Sequence, residues 1–345
     1  MHILRAILFD VDGTLLDTED LHRQCFNRAF RHFQLDWHWN PAHYAELLAI
    51  SGGRERLYWF GRGLKSRFAN EGEYERFIAV LHQEKGRMYR ETLAQGELPL
   101  RPGVLRLILE AEQAGLPVAI ATCTSSANVQ ALLTPHLGSE WRKRFSAIAT
   151  ADEVDQKKPA PAVYRHLVQQ LNLPPNACVA IEDTVNGLKA ATGAGVATVV
   201  TVNRYTAHRR FDGAALVVDH LGEPWRPCHT LSGPPTRMVD LDTLDTLLAA
   251  QAEAASAHRA DPSPRAPPAP QPAAEPRSLA PRRDLPGPAL IAHPTALVAR
   301  PIERSGERSG EPSNSPAAPG GDETGIGPMA LLGGPPPRRA VAGAR

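Results

Sequence analysis

The feature that most constrains the fold is a short apolar run, Ala6–Phe9, which is followed at once by Asp10-Val11-Asp12-Gly13. The run lacks the alternation of a half-exposed strand, so it predicts a parallel strand that is covered on both faces. In open α/β sheets, ligands bind beyond the carboxyl ends of the strands. The run therefore predicts an α/β fold with a binding site next to Asp10 and Asp12.

The two acids after this strand allow a chemical and a plain interpretation. Two carboxylates at one strand end repel each other unless a cation lies between them, and oxygen ligands suit Mg²⁺. A carboxylate can also attack phosphorus and form an aspartyl-phosphate. The same residues fit an Asx-type turn with solvated side chains, so the rest of the chain has to decide.

A second apolar run, Val118–Ala121, leads into a cluster of hydroxyl side chains that begins at Thr122 and continues with Thr124. Hydroxyls at a strand end that opens a helix form a typical anion-binding arrangement. Simple capping of the helix by Ser125 or Ser126 explains the same pattern.

Further strands are predicted at Phe145–Thr150, Ala177–Ile181, Val196–Val202 and Ala215–Val218. The first of these is followed by Lys157-Lys158-Pro159, where proline restricts the backbone around the lysines. The second ends in Glu182-Asp183. Because the carboxyl ends of parallel strands meet at one sheet edge, two acid pairs, a hydroxyl and a lysine come together there. Such a set can bind a divalent metal and a phosphoryl group.

The segment between the first two strands reads as helical, and its length predicts an inserted helical domain. Gly52 and Gly53 precede Arg54 in this segment, and exposed backbone N–H groups beside arginine suit an anion. An ordinary helix start with surface arginines fits equally well. On their own, His22 and Lys85 read as a half-exposed histidine and a solvated lysine. The candidate helices are Ala45–Ile50, Arg54–Lys65 and Tyr74–Leu93.

The composition changes sharply after about residue 250. More than half of the 32 prolines follow Asp261, and the last aromatic residue is Trp225. A segment with dense proline and no aromatic residue cannot bury enough apolar surface to offset its ordering entropy. We expect a disordered Pro/Ala-rich tail at 251–345, a Rossmann-like α/β core at 1–16 plus 100–250, and a helical cap at 17–99.

The formal net charge is +1, so no basic surface indicates a nucleic-acid or membrane partner. No apolar stretch approaches the length of a membrane span, and the N-terminus lacks a signal pattern. Four scattered cysteines without a C-x-x-C pair suit a reducing compartment. We expect a cytoplasmic protein, and we expect it to be a monomer.

In order and spacing, these strand ends resemble the haloacid dehalogenase superfamily over residues 4–225. Four segments look more closely like the CbbY group, which is related to the β-phosphoglucomutases: Ile7–Thr14, Ser51–Arg56, Lys157–Pro161 and Glu182–Leu188. The resemblance implies a Mg²⁺-dependent phosphatase of a small phosphorylated sugar, chiefly D-xylulose 1,5-bisphosphate, an inhibitor of Rubisco. A β-phosphoglucomutase-like isomerase, a phosphoglycolate phosphatase and a non-catalytic phosphosugar sensor stay open.

Carried over residue by residue, the resemblance implies four catalytic residues. Asp10 is the nucleophile that takes the phosphoryl group, and Asp12 is the general acid and base. Thr122 holds the transferring phosphoryl oxygens. Lys158 neutralises charge between Asp10 and the phosphate.

The resemblance also implies a metal site in which Asp183 binds Mg²⁺ together with Asp10 and the carbonyl of Asp12, with Glu182 as nearby support. One departure is Ala162, where related sequences often have Asp. We expect this change to cost stability or orientation rather than chemistry. The predicted substrate-binding residues are Asp17, His22, Arg54, Lys85, Thr124, Ser125 and Ser126.

Overall fold

The computed structural model describes residues 3–95 and 98–260. Within these residues seven strands form one sheet in the order β3-β2-β1-β4-β5-β6-β7. The first six strands are parallel, and β7 is antiparallel to β6. The strands are β1 (Ala6–Phe9), β2 (Val118–Ala121), β3 (Ala147–Ala149), β4 (Cys178–Glu182), β5 (Ala197–Thr201), β6 (Leu216–Val218) and β7 (Thr230–Ser232). The predicted Rossmann-like α/β core is confirmed.

Helices cover both faces of this sheet, which explains why β1 reads as a continuous apolar run. Ile7 and Phe9 pack in one buried cluster, whereas Ala6 and Leu8 pack in another on the opposite face. The first cluster includes residues of α5 (Val104–Gln113), α6 (Ser126–Leu137) and α9 (Leu241–Ala260), and the second includes residues of α7 (Ala162–Gln170) and α8 (Val185–Gly193).

The helical segment between β1 and β2 has a separate, aromatic-rich hydrophobic cluster. Phe26, Phe30 and Trp39 are almost completely buried in it, and their rings contact one another. Its helices are α1 (Glu19–His32), α2 (Pro41–Leu47), α3 (Gly53–Phe60) and α4 (Glu71–Leu93). This segment is called the cap below.

The two chain segments that join the cap to the core lie side by side. Leu16 and Leu100 form an antiparallel bridge, and the backbone N–H of Arg101 donates to the carbonyl of Leu15 at 2.9 Å. The chain therefore leaves and re-enters the core at one place.

The cap helices differ in detail from the prediction. The helix expected at Ala45–Ile50 begins at Pro41, because the Asn40 side chain caps it by accepting from the N–H of His43 at 2.8 Å. The helix expected at Arg54–Lys65 changes to a 3₁₀-helix at Gly61. In the sequence, Asp17 or Thr18 is suited to cap the helix that follows. Thr18 is the N-cap residue of α1 but makes no side-chain capping bond, so this expectation is wrong.

The C-terminal part of the core contains two elements that the sequence reading did not predict, β7 and α9. Leu244, Leu247 and Leu248 of α9 are buried in the sheet cluster. The helix continues to Ala260, past the boundary expected at residue 250. The remainder of the predicted tail, 261–345, lies outside the described residues. Among the described helices, none combines the length and apolarity needed to cross a membrane.

Candidate active site

The candidate site lies where the carboxyl edge of the sheet faces the cap. A cavity of about 350 Å³ opens there. Core residues that follow β1, β2 and β4 line one side, and residues of the cap line the other. The predicted residues in its wall are Asp10, Asp12, His22, Arg54, Lys85, Thr122, Thr124, Ser125, Lys158 and Asp183.

Lys158 connects the ends of three strands. Its Nζ donates to Asp10 Oδ1 at 2.6 Å, to the Ala121 carbonyl at 2.8 Å and to Glu182 Oε1 at 2.5 Å. The lysine is 5% exposed, and Tyr164 donates to the same Glu182 oxygen at 2.5 Å. Although burial opposes it, the negative charges of Asp10 and Glu182 raise the pKa of Lys158, so the lysine stays charged.

Asp10, Glu182 and Asp183 form a buried group whose carboxylate oxygens lie within 4.8 Å of one another. Burial raises the pKa of Asp10 to about 8, against the opposing charge of Lys158, and burial together with Asp10 and Glu182 raises the pKa of Asp183. Asp183 Oδ1 is buried and has no hydrogen-bond partner among the described residues. A hard divalent cation would satisfy this oxygen and relieve the crowded charge, so the group fits a metal ion.

The carboxylate of Asp12 is not a member of this acidic group. It faces the cap, where Oδ1 accepts hydrogen bonds from Thr18 at 2.8 Å and Tyr89 at 3.3 Å and lies 3.0 Å from His22 Nε2. Burial opposes ionisation, but His22 and the Thr18 hydroxyl outweigh it and lower the pKa of Asp12 to about 2. A metal contact of Asp12 would therefore come from its backbone carbonyl, as the resemblance implies.

His22 connects Asp12 to Lys85. Lys85 Nζ lies 2.5 Å from His22 Nδ1, and Tyr89 stacks on the imidazole with 4.0 Å between ring centroids. Burial lowers the pKa of Lys85 to about 8, and burial together with the charge of Lys85 lowers the pKa of His22 to about 4. A neutral His22 therefore accepts from Lys85 at Nδ1 and donates to Asp12 from Nε2.

The hydroxyl groups of the cluster after β2 take part in several hydrogen bonds. Thr122 Oγ1 accepts from the Thr124 N–H at 3.2 Å, and Thr124 Oγ1 accepts from the Asn128 side chain at 3.1 Å. Ser125 caps α6 by accepting from the N–H of Asn128. Anion binding and helix capping, which the sequence left as alternatives, are both compatible with this arrangement.

The cap side of the cavity is positively charged. Arg54 is exposed at the wall and makes no hydrogen bond or ion pair with other residues in the described part of the chain. Lys157 of the core also lines the cavity and pairs with Glu55 of the cap at 2.7 Å. Arg56, in contrast, is buried and donates to the carbonyl of Leu47 at 3.0 Å.

Two predicted substrate-binding residues do not line the cavity. Asp17 has a side chain that is 63% exposed and pairs with Arg101 at 3.2 Å, because the turn after Gly13 directs it away from the site. Ser126 lies within the first turn of α6, and its hydroxyl is 3.1 Å from that of Thr150.

Some residues that contact the site from distant parts of the chain were not predicted from the sequence. Tyr164 orients Glu182, and Asn203 Nδ2 donates to Asp183 Oδ2 at 2.7 Å. Glu19 lines the cavity and accepts from the hydroxyl of Tyr44 at 3.1 Å. Glu19 lies in the first turn of α1, where an acid is expected for the helix dipole alone.

An enclosed aspartate that is held by a lysine beside further acids can accept and release a phosphoryl group. By fold and by these groups, the protein falls in the class of phosphoryl-transferring hydrolases with a Rossmann-like core. Residues 4–195 match the family described as haloacid dehalogenase-like hydrolase, and the chain belongs to this family.

Several proteins that are similar to this chain are CbbY proteins. The plasmid CbbY protein of Cupriavidus necator is 48% identical over 242 residues, which cover 70% of this chain and 95% of that protein. The crystal structure of CbbY from Rhodobacter sphaeroides in complex with phosphate has a TM-score of 0.58 and 43% identity, and the match covers 63% of this chain and 94% of that one. A D10N mutant of CbbY from Rhodobacter sphaeroides, in complex with xylulose-(1,5)bisphosphate, matches with the same TM-score and identity.

Proposed function

We propose that the protein is a Mg²⁺-dependent phosphatase that removes one phosphate from D-xylulose 1,5-bisphosphate. The observation that carries this proposal is the Lys158-bound Asp10 beside two buried acids, at the bottom of a cavity whose outer wall is cationic. The bisphosphate bound to a CbbY relative supports the choice of substrate.

Asp10, Asp183 and the carbonyl of Asp12 would hold Mg²⁺, with Glu182 beside them. Bound there, the ion supplies positive charge next to the phosphoryl oxygens. The Asp10 carboxylate attacks phosphorus, and the bond from phosphorus to the sugar oxygen breaks. Lys158 holds Asp10 in place and neutralises charge on the transferring group, and the Thr122 hydroxyl donates a hydrogen bond to a phosphoryl oxygen.

Asp12 donates a proton in the first step and accepts one in the second. The leaving sugar oxygen takes a proton from the Asp12 carboxyl, and water later attacks the aspartyl-phosphate and gives a proton back to Asp12. The hydrogen-bonded chain from Lys85 Nζ through His22 to Asp12 Oδ1 can deliver to Asp12 the proton that the leaving oxygen takes. Since His22 and Lys85 belong to the cap, the acid and base are complete only when the cap faces the core.

The second phosphate of the substrate would lie at the cationic wall of the cavity. Arg54 has an exposed guanidinium there with no partner among the residues that the structure describes, and Lys157 lies nearby. Thr124 and Ser125 supply hydroxyls on the core side. A substrate with a single phosphate would leave this wall without a partner, so a bisphosphate should be preferred.

The test is phosphate release with Mg²⁺ from four substrates: xylulose 1,5-bisphosphate, ribulose 1,5-bisphosphate, phosphoglycolate and glucose 1-phosphate. We expect the highest kcat/KM for xylulose 1,5-bisphosphate. Efficient conversion of glucose 1-phosphate to glucose 6-phosphate would contradict a phosphatase and favour the isomerase. Turnover of phosphoglycolate alone would contradict the choice of a sugar bisphosphate.

The variant Asp10→Asn tests the chemistry separately from the substrate. An amide cannot attack phosphorus, so we expect turnover to fall at least about 10⁴-fold. The substitution keeps the shape of the side chain, so the circular dichroism spectrum should match that of the unchanged protein. If the turnover of Asp10→Asn stays within about tenfold of that of the unchanged protein, the aspartyl-phosphate mechanism is refuted.

A further inference from the structure

A buried arginine, Arg101, lies where the chain returns from the cap to the core, and it is 7% exposed. Its guanidinium donates to the carbonyls of Gly13 at 2.5 Å, Thr201 at 3.0 Å, Val202 at 2.6 Å and Asp219 at 2.7 Å. These carbonyls belong to the loop after β1 and to the ends of β5 and β6. One side chain thus ties three strand ends together.

Two of these segments lie against the same carboxylate oxygen of Asp183. Gly13 packs so closely that a Cβ there would lie 2.1 Å from Asp183 Oδ2. Val202 precedes Asn203, and Asn203 donates to the same oxygen at 2.7 Å. A shift of either segment would move Asp183 Oδ2 and, with it, the free Oδ1.

We propose that Arg101 is a positioning residue for the metal site: it fixes the Gly13 and Val202 segments and thereby the carboxylate of Asp183. This inference rests on the metal site of the proposed function. A lysine cannot replace the arginine here, because Nη1 and Nη2 of Arg101 share four carbonyls and the Thr201 hydroxyl, whereas an ammonium has only three donors on a single nitrogen.

Arg106 offers a matched control in the same part of the chain. It also holds backbone carbonyls, those of Gly222 at 3.2 Å and Val239 at 2.8 Å, and it pairs with Glu110 at 2.9 Å. None of these partners belongs to the candidate site. The substitution of each arginine by lysine removes a comparable set of hydrogen bonds, but only one set lies next to Asp183.

In the experiment, Mn²⁺ is titrated into three full-length proteins: the unchanged chain, Arg101→Lys and Arg106→Lys. The electron paramagnetic resonance signal of the free ion reports how much Mn²⁺ is bound. Thermal unfolding in EDTA is measured in parallel. We expect Arg101→Lys to bind Mn²⁺ about 10-fold more weakly, which is typical when a supporting residue of a metal site is removed. Arg106→Lys should lower the Tm to a similar extent and leave the affinity within about twofold.

An unchanged Mn²⁺ affinity in Arg101→Lys would overturn the inference and leave the metal site intact. Failure of the unchanged protein to bind Mn²⁺ would instead overturn the metal site and the inference with it. If Arg101→Lys does not fold, Thr201→Val decides, because it removes the hydroxyl that accepts from Arg101 at 2.8 Å. The same hydroxyl donates to the Glu182 carbonyl over a longer distance, 3.4 Å, so the bond to Arg101 is the main one lost. We expect a roughly threefold loss of affinity there, as for one modest hydrogen bond, and an unchanged affinity would reject the inference.

Discussion

At the scale of single residues, the most unusual group is Lys85, a lysine that is 4% exposed. The rings of Phe26 and Tyr89 face its ammonium at 4.7 and 4.6 Å, which offsets part of the cost of burying the charge. Its contact with His22 Nδ1 connects it to the proposed acid, because two hydrogen bonds separate the proton of Lys85 from Asp12. The protonation state of Lys85 should therefore control the rate.

This yields a prediction for the pH dependence of kcat. Burial lowers the pKa of Lys85 to about 8, so the proton is present below pH 8 and is lost as the pH rises through that value. Metal-free Asp10 would also titrate near pH 8, but Mg²⁺ bound beside it would keep its carboxylate ionised over the whole range. We therefore expect kcat, measured by phosphate release at saturating Mg²⁺ between pH 6 and 10, to fall above about pH 8.

Lys85→Arg separates this group from others that titrate near pH 8. A guanidinium keeps its proton, so the decline above pH 8 should disappear, while kcat at pH 7 falls about tenfold for lack of a transferable proton. The exposed Lys143 provides the control, since Lys143→Arg should leave the profile unchanged. A decline that persists near pH 8 in Lys85→Arg would assign it to another residue.

The sequence predicted best those residues that directly follow a strand. Asp10, Thr122 and Asp183 needed only the rule that parallel strands end at one edge, and the structure brings them to one cavity. Tyr164 and Asn203 could not be predicted, because their roles depend on contacts between distant parts of the chain that no local pattern records. Asp17 was misplaced because the direction of a side chain after a turn depends on backbone angles that the pattern does not fix.

At the scale of elements, hydrogen bonds also join the cap to the core outside the acidic group and the main cavity. One runs from Arg209 to the Ala45 carbonyl at 3.1 Å, and another is made by Tyr205. Tyr205 follows β5, and its hydroxyl donates to Asp20 of α1 at 2.5 Å. The tyrosine ring also meets Tyr44 edge to face, with 5.7 Å between centroids. The bond exists only while α1 faces the core, so it favours the arrangement in which Asp12 and His22 meet.

Tyr205→Phe should therefore weaken closure without altering the chemistry. The ring contact remains, and loss of a partly exposed hydrogen bond to a charged group costs about 1 kcal/mol, or about fivefold in a two-state equilibrium. We expect KM to rise about fivefold and kcat to change less than twofold, as measured by steady-state kinetics. Tyr58→Phe is the control, because among the described residues the Tyr58 hydroxyl bonds only within the cap, to Lys65 at 2.7 Å and to Glu71. An equal rise of KM in both variants would contradict a role in closure.

Strands were easier to predict than helix ends. Each strand from β1 to β6 was expected because a strand buried on both faces needs an uninterrupted apolar run. β7 was missed because its residues are partly or fully exposed and it is only Thr230–Ser232. α9 was missed because its buried leucines are followed by an alanine-rich stretch that resembles the low-complexity segment beyond it.

At the scale of the whole molecule, the residues of the site and of the sheet clusters end with α9. Leu244, Leu247 and Leu248 complete the cluster on one face of the sheet. The chain without 261–345 should therefore keep its Tm within about 2 °C and its kcat/KM within about twofold.

Truncation after Asp240 should have the opposite effect. It removes three buried leucines, each worth about 2 kcal/mol of apolar burial, so the core should lose most of its stability. Thermal unfolding and phosphate release on both shortened chains check the pair of predictions. A large loss of activity without 261–345 would show that the described residues are not sufficient for function.

The side-by-side linkers at Leu16 and Leu100 have a consequence for how such a chain can change over time. An insertion whose two ends touch imposes no strain on the sheet, whatever its length. The cap can therefore be lengthened, trimmed or exchanged as a unit, while strand order and the acids at the sheet edge stay as they are. Selection for a new substrate can act on one continuous stretch of the gene and leave Asp10, Lys158 and Asp183, which are encoded on either side of it, untouched. An exchanged cap would have to bring its own counterpart of His22 and Lys85 to Asp12.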